Sequence, residues 1–222
     1  MNNILFLVIL SLFINSIFAY NIPFVRLIWY QKKHINFIIW KGYNKQNENY
    51  FNFSKNLIKI GKKNNIIFNS SISDNYNLEK ISSNTILFGH SAGGYKCLEY
   101  NNSKLLAKIV YGATHNSYNK IKFANKIEKD RIPTLTMIGE KDGFLPSYHL
   151  IDEMIYNYKF NKTNQTVIRV NNTNHLCICD NKVGILSKLL NITDNNLDFD
   201  INLMLNTISN TIINYINLQN SK

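Results

Sequence analysis

Hydrophobic and polar positions fall in blocks along most of this chain. Short, nearly continuous apolar runs occur at Phe24–Tyr30, His34–Trp40, Asn65–Phe68, Thr85–Phe88, Ala107–Tyr111, Pro133–Ile138 and Thr166–Val170. Runs of about four to eight residues, rich in β-branched and aromatic side chains, predict strands buried on both faces. Gln31, Lys32 and Lys33 make a turn between the first two. Elsewhere the apolar spacing becomes helical. Tyr50–Ile60 carries Phe51, Leu57, Ile58 and Ile60, and Gly61 follows as a stop signal. Tyr95–Tyr100 continues a glycine-rich turn as a helix, and Tyr148–Tyr158 carries Leu150, Ile151, Met154 and Ile155 after a Pro146-Ser147 start. Asp198–Leu218 reads as a long amphipathic helix. Ser70–Ser83 is polar and reads as irregular, with a short helix around Leu78–Ile81; His115–Asp130 is polar and charged, with room for one short helix. Strands alternating with helices from residue 36 onward predict an α/β fold, a mostly parallel sheet covered on both faces.

Size and composition narrow the class. The chain has 222 residues, 45% of them hydrophobic, which suits one domain with a full core. Its formal charge is +11, but the basic residues are scattered and only three are arginine (Arg26, Arg131, Arg169). No arginine-rich or aromatic-interleaved basic track exists, so nucleic acid is not an expected partner. Asparagine supplies about one residue in six, spread through every segment, which is a compositional bias and not a motif.

Residues 1–19 contain no Lys, Arg, Asp or Glu, and Ile4–Ile14 is nearly all apolar. That run is too short for a comfortable membrane span and has the length of a secretory leader. Ala19 offers a small residue at a cleavage point before Tyr20. The expected organisation is a signal peptide over 1–19 and one domain over 20–222, with a secretory destination and no stable membrane span after cleavage. Asn-x-Ser/Thr sequons at Asn52, Asn69, Asn101, Asn161, Asn164, Asn171 and Asn191 are compatible with a secreted glycoprotein. Of the three cysteines, Cys177 and Cys179 are too close in an extended chain to pair with each other, while Cys97 could pair with either. A lone Cys-x-Cys is a poor zinc signal, and no metal site is expected.

The chemistry concentrates in Gly89-His90-Ser91-Ala92-Gly93-Gly94, which follows the apolar run Thr85–Phe88 and leads into a helix. A serine at the tip of a strand-to-helix turn needs neighbours with almost no side chain, and glycines supply that room. Two further sites lie downstream. The apolar run ending in Gly139-Glu140-Lys141-Asp142-Gly143 puts Asp142 on a tight loop, with Glu140 as competitor. Five histidines occur, at 34, 90, 115, 149 and 175, and His175 lies just beyond the last strand in Asn171-Asn172-Thr173-Asn174-His175. His115 also follows a strand but precedes the acid.

In this order of serine, acid and histidine the chain resembles the α/β-hydrolase superfamily, over most of its length after the apolar leader. The resemblance implies a nucleophile at Ser91, a general base at His175 and an orienting acid at Asp142. It also implies an oxyanion hole of two backbone N–H groups, those of Ala92 and Tyr43. The family usually carries His-Gly where this chain has Lys41-Gly42, just before Tyr43. About twenty residues separate Tyr111 from Pro133, where lidded members of the superfamily insert a cap. The chain therefore looks like compact, uncapped members such as dienelactone-hydrolase-like and chlorophyllase-like esterases. Those members imply a carboxylic ester hydrolase that needs no cofactor and takes a small-molecule ester. A peptidase or thioesterase on the same three residues, and a hydrolase fold kept as a binding module, are the alternatives.

Overall fold

The computed structural model describes residues 32–43, 45–75, 78, 81–115, 131–159, 164–180 and 200–219. The chain divides into two compact units after Gln31, and every element below belongs to the second, Lys32–Lys222. The expected leader over 1–19, the expected strand Phe24–Tyr30 and the polar segment 116–130 lie outside the described residues.

Among the described residues six strands form one parallel sheet. They are β1 (Lys33–Trp40), β2 (Ile66–Ser73), β3 (Thr85–His90), β4 (Leu105–Tyr111), β5 (Thr134–Gly139) and β6 (Gln165–Val170), in the order β2-β1-β3-β4-β5-β6. Parallel neighbours need crossovers, and helices supply several of them. A single 3-10 turn (Asn47–Tyr50) runs into α1 (Phe51–Lys63) between β1 and β2; α2 (Ala92–Glu99) joins β3 to β4, and α3 (His149–Lys159) lies between β5 and β6. The last described element is α4 (Ile201–Gln219). Every residue of β3 and of β5 is buried, as their unbroken apolar runs require.

Alternate strand residues serve opposite faces. Ile35, Phe37 and Ile39 of β1, Ile86 and Phe88 of β3, Ile109 of β4 and Met137 of β5 pack with Phe53 and Leu57 of α1 and with Ile208 and Ile212 of α4. On the other face Trp40, Leu87 and Val110 pack with Cys97 and Leu98 of α2, while Ile138 packs with Leu150 of α3. The carboxyl ends come into register along one edge: Trp40 pairs with Gly89 and with Ser73, His90 with Tyr111, Tyr111 with Met137, and Gly139 with Val170. Every loop that carries a candidate site residue leaves from this edge.

Three sequence expectations change. The segment expected to be irregular from Ser70 begins as strand, because β1 pairs along its whole length and draws Ser70–Ser73 into the ladder; the outer part of β2 is correspondingly polar and less buried. In α3 only Leu150 of the four apolar residues lies on the inner face. Leu150, Glu153 and Asn157 are buried, while Ile151, Met154 and Ile155 are 58–61% exposed. A polar anchor sets that rotation: Glu153 accepts the His115 backbone N–H (2.9 Å) and meets His115 Nδ1 (2.5 Å), and Tyr156 stacks on the His115 ring at 4.8 Å. Finally, Cys97, Cys177 and Cys179 are all buried, and none of the three is in a disulfide. The sheet separates them, with Cys97 in the α2-side core and the other two in the opposite one. The described sequon asparagines, Asn52, Asn69, Asn101, Asn164 and Asn171, are all exposed.

Candidate active site

Ser91 stands between the last residue of β3 and the first of α2, at φ 52° and ψ −119°. A non-glycine residue at positive φ is strained, and the surroundings hold it there. The Ser91 backbone N–H donates to Tyr111 O at 2.9 Å, which hooks the turn onto the end of β4. Close approach explains the flanking glycines. A methyl group on Gly89 would come within 2.5–2.6 Å of Gly93 O, Gly94 Cα and Cys97 Cβ, and one on Gly93 would strike the carbonyls of Trp40 and Lys41. Ser91 and Ala92 remain half-buried, reachable from the carboxyl edge.

The acid and the histidine meet. His175 Nδ1 lies 2.8 Å from Asp142 Oδ2, and both residues are buried. The other carboxylate oxygen, Oδ1, accepts the N–H groups of Phe144 (2.9 Å) and Leu145 (2.7 Å). A carboxylate only accepts, so Nδ1 carries the proton, and Nε2 offers a lone pair whenever the ring is neutral. The competitor Glu140 is turned elsewhere: it accepts the Asn172 N–H at 2.9 Å and faces Arg169 at 3.8 Å. His115 belongs to Glu153 and Tyr156, and His149 lies 3.6 Å from Asp152.

Gly112 lies against this pair. It follows Tyr111 directly at φ +66°, and a methyl group there would lie 2.7 Å from His175 Cε1 and 2.8 Å from Nδ1. The His175 ring therefore rests on the chain immediately after the carbonyl that holds Ser91. Phe144 covers another side of the ring, at 5.0 Å between centroids.

The loop after β1 also approaches the serine. A methyl group on Gly42 would lie 3.3 Å from Ser91 Cβ. The Gly42 N–H donates to Tyr50 Oη (2.9 Å) and its carbonyl accepts the Lys45 N–H (3.2 Å). With Gly42 so occupied, the Tyr43 N–H is the next donor the loop offers, and the Tyr43 side chain is 74% exposed. Lys41, at the position where the resembled family carries histidine, pairs with Asp74 at 2.5 Å.

Sequence reasoning passed over Tyr50, His90 and Tyr111. His90, expected only as the variable residue of the turn, is buried between Tyr50 Oη (2.7 Å from Nδ1) and the His175 carbonyl (3.0 Å from Nε2). Burial and the neighbouring His175 push its pKa well below the ordinary histidine value. Tyr111 donates its hydroxyl to Asn174 O at 2.7 Å, and burial holds it protonated with a pKa well above the usual tyrosine value. None carries a local signal, because each partner is eight or more residues away in sequence. Among the described residues no His, Cys, Asp and Glu cluster could hold a metal ion, and no helix is long and apolar enough to cross a membrane.

No protein-family model matches this chain, and no curated protein matches it. Solved structures do. A protein described as a dienelactone hydrolase from Klebsiella pneumoniae subsp. pneumoniae MGH 78578 has a TM-score of 0.51 at 9% identity, over 82% of this chain and 86% of that one. The esterase domain of a Rhodothermus marinus protein has a TM-score of 0.48 at 11% identity, over 82% of this chain and 88% of that one. At such identities the likeness concerns the path of the backbone. Together with the parallel strand order and the strand–serine–helix turn, the Klebsiella superposition establishes that this chain has the α/β-hydrolase fold.

Proposed function

We propose that this chain is a serine hydrolase that cleaves small carboxylic esters, with Ser91 as nucleophile, His175 as general base and Asp142 as its orienting acid. The observation that carries the reading is the convergence at one sheet edge of a serine strained at φ 52° and a buried His175–Asp142 pair at 2.8 Å.

The chemistry follows from those groups. A serine hydroxyl is a weak nucleophile until a base takes its proton. His175 Nε2 takes it as Ser91 Oγ attacks the ester carbonyl carbon, and Asp142 stabilises the imidazolium that forms. The carbonyl oxygen becomes an oxyanion, which the backbone N–H groups of Ala92 and Tyr43 would receive. His175 returns the proton to the departing alkoxide, leaving an acyl-serine. Water then repeats the sequence: His175 takes its proton, the acid departs and Ser91 regains its hydrogen. No cofactor enters this scheme. The apolar run Ile4–Ile14 before Ala19 supports delivery to the secretory pathway, with a mature chain starting at Tyr20.

The test is a panel of soluble short-chain ester, thioester and amide substrates offered to the wild type and to Ser91→Ala. Ester turnover should dominate and should fall about a millionfold in the variant. Equal turnover by the variant, or amide cleavage ahead of ester cleavage, would overturn the reading.

A further inference from the structure

Three loops must keep their mutual positions for this chemistry: the turn holding Ser91, the loop offering the Tyr43 N–H, and the loop carrying His175. One buried chain of hydrogen bonds touches all three. The Gly42 N–H donates to Tyr50 Oη at 2.9 Å, Tyr50 Oη lies 2.7 Å from His90 Nδ1, and His90 Nε2 lies 3.0 Å from the His175 carbonyl. The polarity of this chain is fixed by its ends. A carbonyl oxygen only accepts, so His90 Nε2 carries the proton. The neutral ring then has a lone pair at Nδ1, and the Tyr50 hydroxyl donates to it. The same hydroxyl oxygen accepts from Gly42.

We infer that Tyr50 and His90 are positioning residues, forming a relay that couples the Tyr43 loop to the backbone of His175 through the residue next to Ser91. This rests on the proposed serine-hydrolase reading and extends it to two residues that touch neither substrate nor the reacting atoms. Both side chains are buried, Tyr50 at 0% exposure and His90 at 1%. The His90 ring is packed on every side: Tyr50 at 5.8 Å, Tyr111 at 6.2 Å and His175 at 5.0 Å between centroids, with Cys179 Sγ 3.8 Å from Nδ1. Among the described residues those four groups and the Lys45 charge are the titratable groups around it, and burial keeps the ring neutral. A neutral ring suits the relay, because an imidazolium has no lone pair for Tyr50. Tyr111 reinforces the same loop by holding Asn174 O, the carbonyl just before His175.

A structural role alone would lower stability and leave turnover per folded molecule intact. A positioning role lowers kcat at nearly constant KM, because a displacement of about 1 Å among reacting groups costs on the order of 10²-fold. The experiment measures kcat and KM on a soluble short-chain ester for the wild type, Tyr50→Phe, His90→Leu, the double variant and His90→Gln, with melting temperatures. Tyr50→Phe and His90→Leu should each lose about 10- to 100-fold in kcat with KM within about twofold. The double variant should be no worse than His90→Leu, since both changes break one chain. His90→Gln should recover part of the loss, because an amide also offers both an acceptor and an N–H donor. Imidazole nitrogen-15 spectra of the wild type and Tyr50→Phe supply a readout that does not depend on His90→Leu folding. His90 should show the Nε2–H tautomer in the wild type, and its Nδ1 resonance should shift when the hydroxyl is lost. Wild-type kcat in a folded Tyr50→Phe, losses that multiply in the double variant, or an Nδ1–H tautomer would each overturn the relay. Ser91→Ala keeps the two claims apart. Ester turnover that needs Ser91 but ignores Tyr50→Phe sinks the relay alone; turnover that survives Ser91→Ala sinks the parent reading.

Discussion

Gly112→Ala should disable the site while leaving the sheet assembled. Gly112 has φ +66°, and its added methyl would lie 2.7 Å from His175 Cε1, 2.8 Å from Nδ1 and 3.5 Å from Asp142 Oδ2. Carbon atoms rest at about 3.5–4.0 Å, so the imidazole must retreat by roughly 1 Å. Phe144 and His90 pack against other sides of the ring and limit where it can go. A displacement of that size costs about 10²-fold in rate, and loss of the Asp142 hydrogen bond would raise the penalty towards about 10⁴-fold. The stability cost is separate. A left-handed alanine costs about 1–2 kcal/mol, which should lower the melting temperature by roughly 2–8 °C in a domain of this size. The assay is kcat/KM on a soluble ester beside a thermal melt of the same preparation. Wild-type kcat/KM in a folded Gly112→Ala protein would refute the reasoning, because the ring could then move about 1 Å without consequence.

Asp142→Asn should lower kcat by about 10⁴-fold by presenting the wrong tautomer of His175, whereas Glu140→Gln should change it by no more than about twofold; steady-state kinetics of the two variants compare them directly. Tyr43→Pro should slow acylation by about 10²- to 10³-fold by deleting a backbone donor, while Tyr43→Phe should be nearly silent in stopped-flow measurements. Lys108 is buried in β4 and its Nζ donates to Leu98 O (3.2 Å) and Tyr100 O (3.3 Å) at the end of α2. Lys108→Met should therefore cost about 2–4 kcal/mol in denaturant titrations, since it removes two charge-assisted hydrogen bonds from helix carbonyls. The folded-state pKa of His90 is depressed below its unfolded value of 6.5. Below that pH the unfolded chain binds a proton the native one refuses, so stability falls on acidification and is unaffected by His90 above it. The His90 part of the slope approaches about 1.4 kcal/mol per pH unit and should disappear in His90→Gln when melts are compared between pH 5 and 7.

Much of the architecture could be read from apolar runs, because a parallel sheet buries its strands on both faces. β3 and β5 fell where Thr85–Phe88 and Pro133–Ile138 predict them, and α4 spans Ile201–Gln219 against an expected Asp198–Leu218. The misreadings have particular physical causes. Ser70–Ser73 is polar, so only the long-range ladder with β1 makes it strand. The inner face of α3 was set by Glu153 reaching His115, 38 residues away, against the helix's own apolar stripe. Candidate chemistry followed the same division. The Gly-x-Ser-x-Gly turn is a local steric requirement and reads directly from sequence. The choice of Asp142 over Glu140 as the partner of His175 is geometric, settled by which carboxylate the tight turn at Gly139 aims at the ring. His90 offered no local sign, since its partners arrive from residues 50, 175 and 179.

The proposed function stands most directly on Ser91 being the nucleophile. Incubating the protein with a fluorophosphonate and mapping the adduct by peptide mass spectrometry tests that claim without assuming any substrate. One phosphonylated residue, Ser91, is expected, with labelling lost in Ser91→Ala and slowed strongly in His175→Ala. An adduct on another residue, or an unreactive Ser91 in folded protein, would contradict it.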